Sequence, residues 1–267
     1  MASRRARELV NKGNEFFNLG KFGEAIQLYD EALALSPEFL EALFNKGVAL
    51  CELQRFREAL NYFNKVLELN PRDWEALTNK GNVLFNLLEF KEALDCYGKA
   101  LEINPGDAET LYNRGNLLLR LGRFEEAVKM FDEALVLNPR IAEASLNKAL
   151  ALLVFTKPLN CEEAISRVGS VIDSLEHVWS QEKLSPQILE RFRTDVPRLM
   201  IQVIQNLAEV CGMQGSKTVR RIKELLTKIL GDKGYREFLG KTDLEIHPGS
   251  TMYRDILKQE NFPTWSK

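Results

Sequence analysis

The sequence predicts an all-α fold, a solenoid of helix–turn–helix repeats. Three observations carry that expectation. First, the 267-residue chain repeats itself every 34 residues. Gly13, Gly47, Gly81 and Gly115 keep this beat, as do Ala25, Ala59, Ala93 and Ala127. So do Phe22, Phe56, Phe90 and Phe124, and Pro37, Pro71, Pro105 and Pro139. Second, each period holds two runs of apolar residues at helical spacing. Third, a break separates the two runs and a proline closes the second. A period of this length marks supersecondary units that bury their apolar faces on each other.

The unit 108–141 shows how each element arises. Leu111, Gly115, Leu118 and Leu121 give a first helix with one apolar face. Leu121-Gly122-Arg123 ends it, because glycine takes a left-handed cap at little cost. Phe124, Ala127, Val128, Phe131, Ala134 and Leu135 form the apolar face of a second helix. Asn138-Pro139 stops that helix, since a residue before proline is driven from helical angles. Gly115 and Ala127 are expected where the two helices cross. Phe131 and its equivalents Tyr29, Phe63 and Tyr97 are expected to fill the gap to the next unit.

The alanine, the aromatic four residues later and the closing proline recur in all four units. With the period and the glycine, they resemble the tetratricopeptide repeat. Where that family has a leucine before the glycine, this chain has Lys12, Lys46, Lys80 and Arg114, expected to point to solvent. The resemblance implies a right-handed superhelical solenoid whose first helices line a concave groove. Four regular repeats span 1–141, in units near 6–39, 40–73, 74–107 and 108–141. A fifth, degenerate repeat covers 142–179. It carries Asn147, with Ala149 in the glycine slot, and an insertion around Thr156-Lys157-Pro158. Residues 180–267 read as a helical C-terminal extension, with Asp195 capping a start at Pro197 and Ser216 capping a helix to about Leu230. Its expected role is to cap the solenoid end or bind a partner.

Composition fits a binding protein. The formal net charge is −2, so no global field draws the chain to nucleic acid or anionic membranes. Cys51, Cys96, Cys161 and Cys211 lack C-x-x-C spacing and read as reduced thiols. The polar start has no signal-peptide pattern, and no apolar run reaches membrane-spanning length. These readings give a cytoplasmic localisation.

The groove slots that the resemblance implies lie six, three and two residues before the glycine and one, four and five after it. Two before gives an asparagine ladder, Asn11, Asn45, Asn79, Asn113 and Asn147. One after adds Asn14, Asn82 and Asn116, with Val48 and Leu150 in the other units. An amide both donates and accepts, so such a ladder suits a peptide backbone. The alternative is asparagines bonded to their neighbours and to water. Six before gives Glu41, Glu75, Glu109 and Glu143, which either attract a basic ligand or complement helix dipoles. Three before gives Phe44 and Tyr112 as apolar contact points, with Val10, Thr78 and Leu146. The family's lysine-rich clamp for chaperone tails is not matched, since Glu75 stands where a cation would be needed.

Catalytic and metal chemistry are not expected, nor is a cofactor. The two histidines, His177 and His247, lack partners at ligand spacing, and no phosphate-cradling loop or nucleophile elbow occurs. His177 reads as structural. A basic stretch at 217–228 is too short to argue for nucleic acid. The reading is a non-catalytic adaptor that holds an extended peptide or partner helix through the asparagine ladder, with basic residues as one expectation for that partner. The alternative is a targeting module for a small C-terminal effector or enzyme domain. Self-association through solenoid ends is a third reading.

Overall fold

The computed structural model describes residues 2–154 and 161–179 and five isolated positions beyond them. The expected C-terminal extension and the insertion at Thr156-Lys157-Pro158 lie outside the described residues, apart from those positions. Among the described residues the fold is all-α, a solenoid of helix–turn–helix repeats with no strand. First and second helices alternate: α1 (Ala2–Asn18), α2 (Phe22–Leu35), α3 (Leu40–Glu52), α4 (Phe56–Leu69), α5 (Trp74–Asn86) and α6 (Phe90–Ile103). They continue as α7 (Ala108–Arg120), α8 (Phe124–Leu137), α9 (Ala142–Val154) and the longer α10 (Cys161–Trp179). The chain divides into two compact units between Leu117 and Leu118. No described helix is long and apolar enough to cross a membrane.

The turn inside each repeat is one device used four times. The amide of the second residue past the cap returns to a carbonyl five residues back: Lys21 to Phe16, Arg55 to Leu50, Glu89 to Leu84 and Arg123 to Leu118. The residue before it takes a left-handed conformation, with φ of 73° at Gly20 and 72° at Gly122. These are the hydrogen bonds of a Schellman cap. Repeats 2 and 3 force Gln54 (φ 57°) and Leu88 (φ 64°) into the same region, which costs a non-glycine residue about 1–2 kcal/mol. The stop between repeats is equally regular. Ser36, Asn70, Asn104 and Asn138 are non-helical before their prolines, and each donates its amide to the carbonyl four residues back. The three asparagine oxygens also accept the amide two residues on, from Arg72, Gly106 and Arg140, forming Asx turns. Asp73 and Asp107 then cap the next helices through the amides of Ala76 (2.9 Å) and Thr110 (2.8 Å).

The core explains the glycine and aromatic registers together. Tyr29, Phe63, Tyr97 and Phe131 are each at most 1% exposed. The first three rings lie over the glycine of their own repeat, and they share core clusters with residues of the next one, Tyr29 with Leu50, Phe63 with Val83 and Tyr97 with Leu117. A Cβ on Gly13, Gly47 or Gly81 would come within 2.5, 2.9 and 2.5 Å of Tyr29, Phe63 and Tyr97. Only glycine lets the ring approach that closely. Repeat 5 exchanges volume between the two registers. Ala149 replaces the glycine, and Val168, three residues late, replaces the aromatic; both are buried.

Candidate binding face

In the first unit the first helices lie side by side, α1 touching α3 and α3 touching α5. This contact is partly polar. Asn14 Oδ1 accepts from Asn45 Nδ2 (2.9 Å) and from the Tyr29 hydroxyl (2.7 Å). Asn82 Oδ1 likewise accepts from Tyr97 (2.7 Å). Asn79 donates to the Glu75 carbonyl one turn back (2.9 Å). So Asn14, Asn45, Asn79 and Asn82 have structural duties: each amide spends one half on the protein. The other halves, Asn14 and Asn82 Nδ2 with Asn45 and Asn79 Oδ1, have no side-chain hydrogen bond among the described residues.

The remaining candidates divide by burial. Asn11 is exposed, Asn113 and Asn116 are half-buried, and in the second unit Asn147 is only 9% exposed. Glu41, Glu75 and Glu109 are exposed in the first turns of α3, α5 and α7. Phe44 and Tyr112 are half-buried. Phe44 packs edge-on against Phe63, with ring centroids 5.8 Å apart, so part of it belongs to the core. The apolar slot otherwise faces inward. Val10, Thr78 and Leu146 are buried, and the Thr78 hydroxyl lies 2.6 Å from that of Thr110 in a buried link between α5 and α7.

The two tyrosines sit close to the acidic row. Burial, then the Glu41 carboxylate, push the Tyr29 hydroxyl up to about 12. Burial, then Cys96 and Glu109, raise Tyr97 as well. Burial, then Glu52, push the Cys51 thiol up to about 12, which keeps it protonated and poorly nucleophilic.

The basic residues before the glycine do not all reach solvent, contrary to the sequence expectation. Lys46 is 7% exposed. It forms an ion pair with Asp30 of the preceding repeat, donates to the Tyr62 hydroxyl at 2.6 Å, and lies 4.4 Å from that ring's centroid. Burial alone would lower its pKa, but the hydrogen bonds to Asp30 and Tyr62 and their charges raise it overall. In the second unit Lys148 pairs with Asp132 at 2.5 Å. Both acids stand sixteen residues before their lysine, and that spacing was the available sequence signal. His177 is structural as expected: its Nε2 lies 2.6 Å from the Pro139 carbonyl, which can only accept, and ties α10 to the turn after α8.

Comparison with known proteins agrees with this geometry. The tetratricopeptide-repeat profile matches residues 40–73, 74–107 and 108–141. A second profile, described as a TPR repeat, matches 13–54. No curated protein matches the sequence significantly. Among solved structures, MamA of Desulfovibrio magneticus RS-1 is 22% identical with a TM-score of 0.58, over 67% of this chain and 98% of that one. The protein pilF of Pseudomonas aeruginosa is 17% identical with a TM-score of 0.62, over 90% of this chain and 99% of that one. YrrB, described as a TPR protein with an unusual peptide-binding site, is 24% identical with a TM-score of 0.52, over 66% of this chain and 91% of that one. At these identities the solved structures speak for the fold, and the repeat profiles for the family. On residues 13–141 this chain belongs to the tetratricopeptide-repeat family.

Proposed function

We propose that this protein is a non-catalytic interaction scaffold that holds an extended, basic segment of a partner protein along the face shared by α1, α3, α5 and α7. One observation carries the reading. Glu41, Glu75 and Glu109 recur at one register of adjacent helices, are exposed, and form no ion pair or side-chain hydrogen bond among the described residues. Beside them, Asn45 and Asn79 keep a carbonyl oxygen for a peptide N–H, and Asn14 and Asn82 keep an NH2 for a peptide carbonyl. YrrB's described peptide-binding site is consistent with such use of the fold. The competing account, acids placed only to complement helix dipoles, explains their position in the first turn equally well. It makes a different prediction for binding.

The test selects displayed random peptides on the immobilised full chain, then measures affinity for the consensus. The selected peptides should be rich in Lys and Arg, and their binding should weaken with salt. A Glu41→Gln, Glu75→Gln, Glu109→Gln variant should lose at least tenfold. So should an Asn45→Ala, Asn79→Ala, Asn113→Ala variant, at about 0.5–1.5 kcal/mol per hydrogen bond. Salt-insensitive binding and full affinity in the glutamine variant would leave the acids as dipole partners only.

A further inference from the structure

The cation before the glycine meets an acid at some junctions and not at others. Lys46 has Asp30 sixteen residues earlier, and Lys148 has Asp132. At the same spacing Lys80 has Asn64 and Arg114 has Gly98. Lys80 forms no ion pair among the described residues. Arg114 forms none either, and its Nε is buried without a hydrogen-bond partner. A buried N–H of a charged group left unpaired is costly, and native proteins rarely tolerate one without a reason.

The place of the missing acid is reachable from outside. In the two complete pairs the lysine side chains are 9% and 19% exposed, while their aspartates remain 53% and 51% exposed. The acid therefore sits at the mouth of the junction and the cation at its floor. At Gly98 the mouth is empty: a Cβ added there would meet nothing within 4 Å. We propose that Arg114 is a docking point for a carboxylate side chain of a partner protein, received over Gly98 where Asp30 and Asp132 stand at their own junctions. Lys80, with Asn64 sixteen residues earlier, is a second cation one repeat away, so the occupant is an acidic segment with more than one carboxylate. The carboxylate chemistry follows from the molecule itself, which fills the equivalent position with aspartate twice. Guanidinium suits that role because its planar N–H groups can hold both carboxylate oxygens. This site uses α6 and the Arg114 side of α7, and it stands or falls independently of the glutamate row.

The test follows the arginine side-chain Nε–H signals of the isotope-labelled full chain by NMR. The probe is an acetylated, amidated hexaglutamate peptide, with inorganic phosphate as the comparison anion. In the wild type the peptide should shift the Arg114 signal, identified by its loss in Arg114→Gln. Gly98→Asp should close the junction from within and weaken the peptide at least tenfold, while Gly98→Ala leaves affinity unchanged. Gly98→Asp should also melt about 2–4 °C above Gly98→Asn, the shift that about 1 kcal/mol gives a chain of this size; asparagine matches aspartate in shape and in helix propensity, so the difference reports the pairing. Equal peptide affinity in Gly98→Asp and wild type would overturn the proposal, as would an unmoved Arg114 signal. So would a Gly98→Asp that melts no higher than Gly98→Asn. Phosphate moving the signal as strongly as the peptide at equal charge would reduce the site to an adventitious anion contact and overturn the commitment to a carboxylate.

Discussion

Repeat 3 lays Tyr97 over Gly81 and donates its phenol proton to Asn82, whereas repeat 2 lays Phe63 over Gly47 with Val48 in the asparagine's place. The backbones follow the same turn and stop, and both rings are buried. What differs is one polar pair, hydroxyl and amide, present together in repeat 3 and absent together in repeat 2. Repeat 1 has the pair as Tyr29 and Asn14. A buried hydroxyl needs an acceptor, so these asparagines are first answers to a packing problem. The glycine belongs to the architecture, and the residue after it follows the chemistry of the ring. Repeat 4 keeps Asn116 with Phe131 in register, and this rule does not explain that asparagine.

The largest test of the shared part is Gly81→Ala beside Gly47→Ala. The new Cβ would meet the ring at 2.5 Å in repeat 3 and 2.9 Å in repeat 2. Overpacking costs about 1–3 kcal/mol, while alanine gains roughly 0.5–1 kcal/mol over glycine inside a helix. Gly81→Ala, at the upper end of that cost, should lose about 2 kcal/mol in urea unfolding. Gly47→Ala should come out near zero. Equal losses would mean that the closer approach of the tyrosine has no energetic weight.

The sequence showed the period, the helix pairs, the turn at Gly122 and the proline stops, because each is written in local residue types that repeat. It did not show that Gln54 and Leu88 adopt left-handed angles, since neither residue advertises the turn that its register imposes. It misplaced Lys46, because a lone lysine reads as solvated until Asp30, on a helix of the preceding repeat, is set against it. Val10 and Thr78 were read as groove positions from the family pattern, but the close approach of neighbouring first helices buries them. The asparagine register was visible; its division between tyrosine acceptor and open amide was not, because that depends on which ring lies beneath.

A double-mutant cycle turns repeat 3 into repeat 2. Asn82→Val alone leaves the Tyr97 hydroxyl buried without its acceptor and should cost about 1–2 kcal/mol. Tyr97→Phe alone takes the phenol from the carbonyl oxygen of Asn82, a residue only half-buried, so about 0.5–1 kcal/mol is expected. The double variant rebuilds the Phe63 and Val48 combination and should return to within about 0.5 kcal/mol of wild type, since contacting residues couple. Simple addition of the two losses would show that the pair is not the unit of exchange.

The smallest effect vanishes at neutral pH and separates the tyrosine repeats from repeat 2 only in alkali. Tyr29 titrates near 10.0 in the unfolded chain and is pushed up to about 12 in the fold by burial and then by Glu41. With the folded value the higher one, its stabilising contribution is complete below pH 10 and is lost as pH rises from about 10 to 12. Phe63 has no such linkage. Lys46, also raised, adds a decline of the same sign that is common to wild type and to variants at Tyr29. The urea midpoint, followed from pH 9 to 12, should therefore fall more steeply for wild type than for Tyr29→Phe, the two curves converging in slope below pH 10. Parallel curves throughout would mean that the phenol is not held protonated over Gly13, and that repeat 1 resembles repeat 2 more closely than its hydrogen bond to Asn14 implies.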